Sequence, residues 1–233
     1  MEILGFDEIK SKFKSSKKFR IITYLIASVL ILVLSYFIYR QFIWLPKNEK
    51  SKDSWWIALN DIKNNDQIAK PGEQISDSAT KVKKDKKRNS IIKMLESSKK
   101  KFDGYIGGEI VKYLLGRQYM EKGEYRKAIE NLEAVDVTDT YVRILSIGLQ
   151  GDCYSDLKDY KKAEEKYIEA ADLEKNDFTT PTYLFKAGLC AEKTKNYAAA
   201  SKYYKRIQDD FPVYGSQKTI EKHIARTNTI KKK

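Results

Sequence analysis

The side chains that most often carry catalysis or bind metals are few in this sequence. Its 233 residues include one histidine, His223, and two cysteines, Cys153 and Cys190. A catalytic triad needs a histidine held by a partner, and a histidine-based metal site needs several ligands together, so neither is predicted. Phosphate-binding glycine motifs are missing from the sequence. Adjacent carboxylates such as Glu164 and Glu165 indicate a solvated helix face. We expect a non-enzymatic protein with no cofactor and no metal.

Three stretches in the second half of the chain carry nearly the same sequence. They are YLLGRQYMEKGEYRKAIENLEAV from Tyr113, LQGDCYSDLKDYKKAEEKYIEAA from Leu149 and KAGLCAEKTKNYAAASKYYKRI from Lys186. Their alignment superposes Gly116, Gly151 and Gly188, then Tyr125, Tyr160 and Tyr197, then Ala128, Ala163 and Ala200. The glycines lie 35 and 37 residues apart, close to the roughly 34 residues of one helix-turn-helix repeat. The pattern resembles the tetratricopeptide (TPR) family, which implies an α-solenoid.

Each stretch is predicted to form two amphipathic helices that cross at small residues, because glycine and alanine let two backbones approach closely. One turn after the alanines come three large side chains that we expect in the core, namely Leu132, Tyr167 and Tyr204. The turn between the helices favours glycine in a left-handed conformation. Gly123 occupies that position in the first stretch, whereas Lys158 and Lys195 occupy it in the others. We expect those two turns to be weaker.

The chain after the third stretch predicts a helix that closes the stack. Ser216 is a candidate N-cap for a helix that runs to about Thr227. Its inward side chains are predicted to be Ile220, Ile224 and Ala225, and its outward ones Lys218, Lys222 and Arg226. His223 is expected at the surface. The fold class is therefore all-α, with about three helix pairs and a capping helix.

The two cysteines occupy equivalent places in adjacent stretches, each two residues after an aligned glycine. Equivalent positions in stacked units lie about 10 Å apart, which exceeds the roughly 7 Å that a disulfide can span. A thiol also fills a small buried site well. We predict two free, buried cysteines.

An uncharged apolar segment near the start of the chain is predicted to be a single transmembrane helix. Residues 21–39 contain no charge, and 19 residues at about 1.5 Å each span the hydrocarbon core of roughly 30 Å. Aromatic residues at its far end, up to Phe42 and Trp44, suit a membrane interface. More lysines precede it than closely follow it, which places the N-terminus in the cytoplasm. A cleaved signal peptide is the competing interpretation, but the apolar run is long and lacks a small-residue cleavage motif.

The basic charge of the chain lies mostly before the repeats. The net charge is +13 overall, whereas residues 102–233 carry 23 basic and 21 acidic side chains. We divide the chain into a basic tail (1–20), a membrane helix (21–42), a basic stalk with short helices (43–101), a TPR domain (102–228) and a second basic tail (229–233).

The stalk allows several interpretations. Trp55 and Trp56 lie in a predicted helix (54–65) that either packs on the first repeat or anchors the stalk at the bilayer or a partner. A polar stretch (68–90) with Pro71 and Gly72 suits a flexible connector. The lysine-rich part (81–101) is a solvated linker, a surface that contacts anionic lipid or an acidic partner, or, against the predicted topology, a nucleic-acid binder.

The anchor, the repeats, FTTPTYLFKAGL (178–189) and YYKRIQDDFP (203–212) together resemble the YfgM-like family of membrane-anchored TPR proteins. This resemblance implies a periplasmic domain at the inner membrane beside the Sec translocon. It also implies work with a membrane-anchored prolyl isomerase chaperone on newly exported proteins. The lysine-rich stalk has no counterpart in that family.

TPR stacks bind peptides along a concave groove lined by the first helix of each repeat. The resemblance implies that nine residues line this candidate groove: Tyr113, Arg117, Met120, Leu145, Asp152, Ser155, Phe185, Leu189 and Lys193. Arg117 stands where a carboxylate-binding groove would have asparagine, so recognition of a chaperone's C-terminal tail is not predicted. Some of these side chains could equally pack on neighbouring helices.

The leading hypothesis is an interaction module whose partners are translocon subunits, a membrane-anchored chaperone and unfolded clients, with no nucleic acid. One alternative is a TPR scaffold for another envelope assembly. A second alternative, with the opposite topology, is a cytoplasm-facing binder of nucleic acid or ribosomes.

Overall fold

The computed structural model describes residues 6–66 and 78–231. Every regular element within these ranges is helical. The chain divides into two compact units, Met1–Glu49 and Lys50–Lys233. Pro71, Gly72 and the first part of the predicted connector (68–77) lie outside the described residues.

The first unit holds the apolar segment. It contains α1 (Phe6–Ser15), α2 (Lys17–Tyr39) and a π-helical turn, Arg40–Trp44, and it includes the start of α3 (Leu45–Asp66). Ser16 caps α2, because its hydroxyl accepts from the backbone N–H of Phe19 at 3.3 Å. The most apolar window has a mean hydropathy of 2.5 and none of it is buried. This N-terminal helix is long and apolar enough to span a membrane.

Two serines within α2 satisfy their hydroxyls inside the helix itself. Ser28 donates to the carbonyl of Leu25 at 2.8 Å, and Ser35 donates to the carbonyl of Leu32 at 2.9 Å. Such bonds back to the preceding turn let a polar side chain stay in an apolar helix.

The second unit is a stack of helices. It comprises the rest of α3, then α4 (Ser78–Lys101), α5 (Ile106–Glu121), α6 (Tyr125–Glu133), α7 (Thr140–Asp156), α8 (Tyr160–Leu173), α9 (Thr179–Lys193), α10 (Tyr197–Asp210), α11 (Pro212–Gln217) and α12 (Ile220–Lys231). Successive helices from α4 to α10 pack on one another, and α12 packs on α10. The three predicted pairs are α5–α6, α7–α8 and α9–α10, so the predicted all-α solenoid is confirmed.

The three turns inside these pairs share one backbone conformation. Gly123, Lys158 and Lys195 all have positive φ, at 81°, 64° and 62°. The next residue donates its N–H to the carbonyl five residues back: Glu124 to Tyr119 (2.9 Å), Asp159 to Tyr154 (2.9 Å) and Asn196 to Ala191 (2.7 Å). This is a Schellman-type helix end. The two lysines therefore adopt a conformation that is unfavourable for residues with a Cβ atom.

The stalk is more helical than the sequence predicts. α4 starts at Ser78, within the stretch predicted to be a flexible connector. Its buried residues are Arg88, Ile91, Ile92 and Leu95, so contact with α5 stabilises a helix whose first half has the composition of a linker and whose second half (90–101) has apolar residues at helical spacing. The two tryptophans of α3 also differ: Trp55 packs against this core, whereas Trp56 is 52% exposed.

The C-terminal end departs from the sequence prediction in three details. Ser216 lies inside α11, and the chain then turns at Thr219, with φ 49°, before α12 begins. Ile220 is buried as predicted, but Ala225 is exposed and Thr227 is fully buried. His223 is half-buried rather than fully exposed, and its ring packs 5.2 Å from Phe185 and 5.0 Å from Tyr204.

The two cysteines are free and buried, as predicted. Burial raises the pKa of Cys153 to about 12 and that of Cys190 to about 11. Both side chains therefore stay as neutral thiols at physiological pH and act as small apolar groups.

The aligned glycines lie directly under large side chains of the partner helix. A Cβ atom on Gly151 would lie 2.6 Å from ring carbons of Tyr167. A Cβ atom on Gly116 would likewise overlap the side chain of Leu132, and one on Gly188 would overlap the ring of Tyr204. Each glycine is therefore required because the two helices of a pair approach too closely for any side chain at the crossing.

We expect the change Gly151→Ala to destabilise the protein by about 1–3 kcal/mol, because overpacking forces the buried Tyr167 ring to move. Denaturant unfolding of the full chain in detergent measures this. The matched control is Gly215→Ala in α11, where the nearest atom to a new Cβ lies at 3.7 Å. That control should be neutral or more stable, since alanine favours a helix over glycine. Equal stability of Gly151→Ala and wild type would contradict the crossing described here.

Candidate partner-binding groove

The nine residues of the candidate groove lie on the first helices of the three pairs. α5 carries Tyr113, Arg117 and Met120, α7 carries Leu145, Asp152 and Ser155, and α9 carries Phe185, Leu189 and Lys193. None of them is buried. Because α5 packs on α7 and α7 on α9, these helices form one continuous row.

Asp152 holds the middle of this row together. The Tyr167 hydroxyl on α8 donates to Oδ1 of Asp152 at 2.6 Å, and Nζ of Lys186 on α9 donates to the same oxygen at 2.6 Å. One carboxylate thus joins three helices. Burial is the largest cause that raises the pKa of Tyr167, so its hydroxyl remains a proton donor.

A second carboxylate repeats this arrangement one pair later. Oε1 of Glu192 accepts from the Tyr204 hydroxyl at 2.7 Å, and Oε2 pairs with Nη2 of Arg226 on α12 at 2.6 Å. Burial raises the pKa of Glu192, but hydrogen bonds from Tyr204 and Arg226 outweigh it, so the pKa lies below its usual value. In the sequence, Tyr167 and Tyr204 were the available signal for both carboxylates, because a buried hydroxyl needs an acceptor.

The repeating contacts agree with the comparison to known families. Two tetratricopeptide repeat models match the chain, one over residues 146–177 and one over residues 182–212. The pairs α7–α8 and α9–α10 are tetratricopeptide repeats. Among curated proteins, none matches the chain. The pair α5–α6 shares the turn and the glycine crossing with these TPR repeats.

The α5–α6 pair differs from the other two in its polar contacts. Leu132 occupies the position of Tyr167 and Tyr204 in the other two pairs, so no buried hydroxyl requires an acceptor there. Glu121 instead pairs with Nε of Arg117 at 3.2 Å and with Nη2 of Arg88 on α4 at 3.4 Å. Arg117 is therefore partly engaged within the stack. The Tyr119 hydroxyl donates to Glu96 on α4 at 3.0 Å, which ties α4 to the first pair.

Phe185 packs within the C-terminal end of the TPR stack. Its ring lies 6.0 Å from Tyr204, and Nζ of Lys218 lies 5.9 Å from its centre. Together with His223, these contacts cover much of its face. Asp152 and Phe185 therefore have structural roles in addition to their place on the groove face, which is the alternative that the sequence left open.

Asp152, Arg117 and Phe185 are engaged in contacts within the stack, and most of the other groove residues are apolar or lysine. Leu189 is 37% exposed, and Lys193 follows one helical turn later. Met120 packs against the core at its inner side, and Leu145 is half-buried. Within residues 6–66 and 78–231, no cluster of three His, Cys, Asp or Glu side chains could hold a metal. This arrangement can make apolar contacts with a bound chain.

The Glu192 contacts predict how stability responds to acid. Since the folded pKa of Glu192 lies below its ordinary value of 4.5, the carboxylate stabilises the fold above about pH 4.5. This contribution is lost as the pH falls through the folded pKa. We expect Glu192→Gln to lower stability by about 1–2 kcal/mol at pH 7 and to weaken the loss of stability below pH 4.5.

Unfolding measured between pH 3 and pH 7 tests this. The control variant is Glu165→Gln, which removes an exposed carboxylate on α8 and should follow the wild-type pH curve. An unchanged acid dependence in Glu192→Gln would show that the ion pair with Arg226 does not stabilise the docked α12.

Proposed function

We propose that the chain is a non-enzymatic interaction module, anchored in the inner membrane by the helix at 21–42, that presents a TPR groove to other proteins. The proposed partners are translocon subunits, a membrane-anchored chaperone and unfolded exported clients. The N-terminus is cytoplasmic and the repeats are periplasmic in this proposal. TPR repeats mediate protein–protein interaction, and this is the observation that carries the proposal.

The composition of the stack supports binding of proteins over binding of nucleic acid. Residues 102–233 are nearly neutral, and nucleic-acid affinity depends on clustered positive charge. The row of first helices leaves Leu145 and Leu189 accessible, and apolar contact can hold polypeptide segments of varied sequence. The candidate groove is therefore suited to weak contact with clients or to docking of a partner.

We predict that a mild-detergent pull-down through the C-terminus recovers a translocon subunit or a periplasmic chaperone. The variant Leu189→Asp should reduce this recovery at least fivefold, because it places a charge among apolar contacts. Leu157→Asp is the matched control: Leu157 is 42% exposed and lies outside the nine groove residues.

Two outcomes would contradict the proposal. A C-terminal reporter that is active only in the cytoplasm would reverse the topology and favour the nucleic-acid or ribosome binder. Recovery of an envelope assembly without any translocon or chaperone component would favour the scaffold alternative.

A second contact involves the surface of α4. Ser78–Lys101 contains ten basic and two acidic side chains. Lys83, Lys86, Lys93 and Lys100 share its exposed face, opposite Ile92 and Leu95. Among the described residues none of these four lysines forms an ion pair. We propose that this lysine face contacts anionic lipid headgroups, at roughly 1 kcal/mol per lysine near the surface.

Energy transfer tests the lipid contact in the full chain. A fluorophore on Ser97→Cys, on the same exposed face, is paired with headgroup-labelled lipid in vesicles of phosphatidylcholine with or without phosphatidylglycerol. Transfer should rise with the anionic lipid, fall in 0.5 M salt, and be lost when the four lysines become glutamine. Changing four other exposed lysines to glutamine, Lys161, Lys202, Lys205 and Lys222, is the control. Transfer that ignores lipid charge would overturn the proposal.

A further inference from the structure

The first helices of the three pairs carry a row of exposed apolar side chains at their N-terminal ends. Ile106 on α5, Tyr141 on α7 and Phe178 at the start of α9 are 47%, 52% and 71% exposed. They lie 35 and 37 residues apart, the same intervals that separate the aligned glycines, so they occupy equivalent positions in the three pairs. We call these three residues the apolar row. None of them belongs to the nine groove residues.

The helix face that continues from the apolar row is uncharged over its next turns. One helical turn further along lie Ile110, Leu145 and Thr182, again at equivalent positions and all half-buried. Residues four apart on a helix share a face, so the row and these three side chains form one surface. The first charged side chains on this face are Arg117 and Asp152, and both are paired within the stack. Exposed apolar surface of this kind is characteristic of interaction sites.

Hydrogen bonds at the helix starts hold two members of the row in place. Beside Tyr141, Oδ1 of Asp139 accepts from the backbone N–H of Val142 at 3.0 Å. Oδ1 of Asn176 accepts from the backbone N–H of Phe178, also at 3.0 Å. A surface that is ordered in advance lowers the entropic cost of binding a partner.

Three tyrosine side chains, one from each first helix, lie together beside this row. α7 has Gly148 at the position where α5 has Tyr113, and a Cβ atom on Gly148 would overlap the hydroxyl end of Tyr183 from α9. The Tyr183 ring therefore fills the place of the missing side chain. Burial raises the pKa of Tyr183 most, and the nearby side chains of Asp152, Tyr113 and Tyr141 raise it further.

The hydroxyls of these three tyrosines can donate to a ligand. Within residues 6–66 and 78–231, no group of the protein accepts a hydrogen bond from them. The hydroxyl of Tyr183 keeps access to solvent, although the residue is largely buried. Oδ1 of the neighbouring Asp152 already accepts from Tyr167 and Lys186. The surface therefore favours a ligand that is rich in acceptors and makes few demands for them.

A polyproline II segment matches this surface in both spacing and hydrogen bonding. Neighbouring first helices lie about 10 Å apart, and a polyproline II chain repeats every three residues, or about 9 Å. Its backbone carbonyls have no internal partner, and proline has no N–H that needs an acceptor. A bound α-helix would use its carbonyls internally. An extended strand of other residues would bring N–H groups that need acceptors.

We propose that the apolar row and the three tyrosine hydroxyls bind a proline-rich segment of a partner protein in the polyproline II conformation. Every third residue of the segment packs on a member of the row, and the hydroxyls donate to the backbone carbonyls between them. Apolar contact alone would accept many sequences, so the hydroxyls supply the preference for proline. This inference rests on the proposed peptide-binding function of the TPR stack and specifies its ligand class.

Fluorescence anisotropy with the full chain in phosphatidylcholine nanodiscs tests this. The probe is a labelled peptide of nine prolines between glycine-serine flanks. One comparison peptide has three repeats of Leu-Ser-Ser, which keep an apolar side chain at every third position, and the other has nine D-prolines, which form the mirror-image helix. We expect the probe to bind at least fivefold more tightly than either. Tyr141→Ala with Phe178→Ala should weaken it at least fivefold, whereas Leu157→Ala, at an exposed leucine outside the row, should not.

The hydroxyls have their own test. Tyr113→Phe with Tyr141→Phe should weaken binding of the probe at least threefold, because these changes remove two donors and keep both rings. The matched control is Tyr197→Phe on α10, which should bind the probe like wild type. Equal binding of the three peptides, or an unchanged affinity in either double variant, would overturn the inference.

The pull-down separates this inference from the proposed function. If it recovers a translocon subunit or a chaperone while the proline peptide does not bind, the proposed function survives and the inference fails. If the peptide binds with the expected effects of the variants while the pull-down recovers neither, the inference stands and the proposed partners are contradicted.

Discussion

The stack depends on one repeated contact, in which a large side chain of the second helix of a pair lies against a glycine of the first. Leu132, Tyr167 and Tyr204 occupy this position over three aligned glycines. Fully buried alanines, Ala128, Ala163 and Ala200, lie one turn before them on the same helix. The absence of a Cβ atom sets how closely the two helices approach. Because the same approach recurs in every pair, successive pairs present similar surfaces and can stack.

The choice of tyrosine in two of the three pairs links this local contact to the whole stack. A buried hydroxyl requires an acceptor, and Asp152 and Glu192 supply it. A carboxylate removed from water requires a positive partner in turn, which Lys186 on α9 and Arg226 on α12 supply. A contact within one repeat thus becomes a contact between repeats. Leu132 has no hydroxyl and therefore needs no acceptor. The first pair is joined instead to α4, by the Tyr119–Glu96 and Arg88–Glu121 contacts.

The repeat period, the apolar N-terminal helix and the free cysteines could be predicted because each depends on spacing or composition along the chain. Gly151 and Tyr167 could be assigned to the core from their register alone. Contacts between distant residues could not be read this way. No feature of the neighbouring sequence indicates that Arg226 pairs with Glu192, or that His223 packs on Phe185. A helix over 90–101 could be predicted from the spacing of Ile91, Ile92 and Leu95, but the first half of α4 (78–89) was missed, because its lysines resemble a linker.

The pairing of charges inside the stack limits how the candidate groove could recognise the proposed partner. Asp152 and Glu192 each bind a cation within the protein, and Arg117 binds Glu121, so these groups have little charge left for a partner. Recognition along the first helices would then rest on apolar contact, which discriminates weakly between sequences.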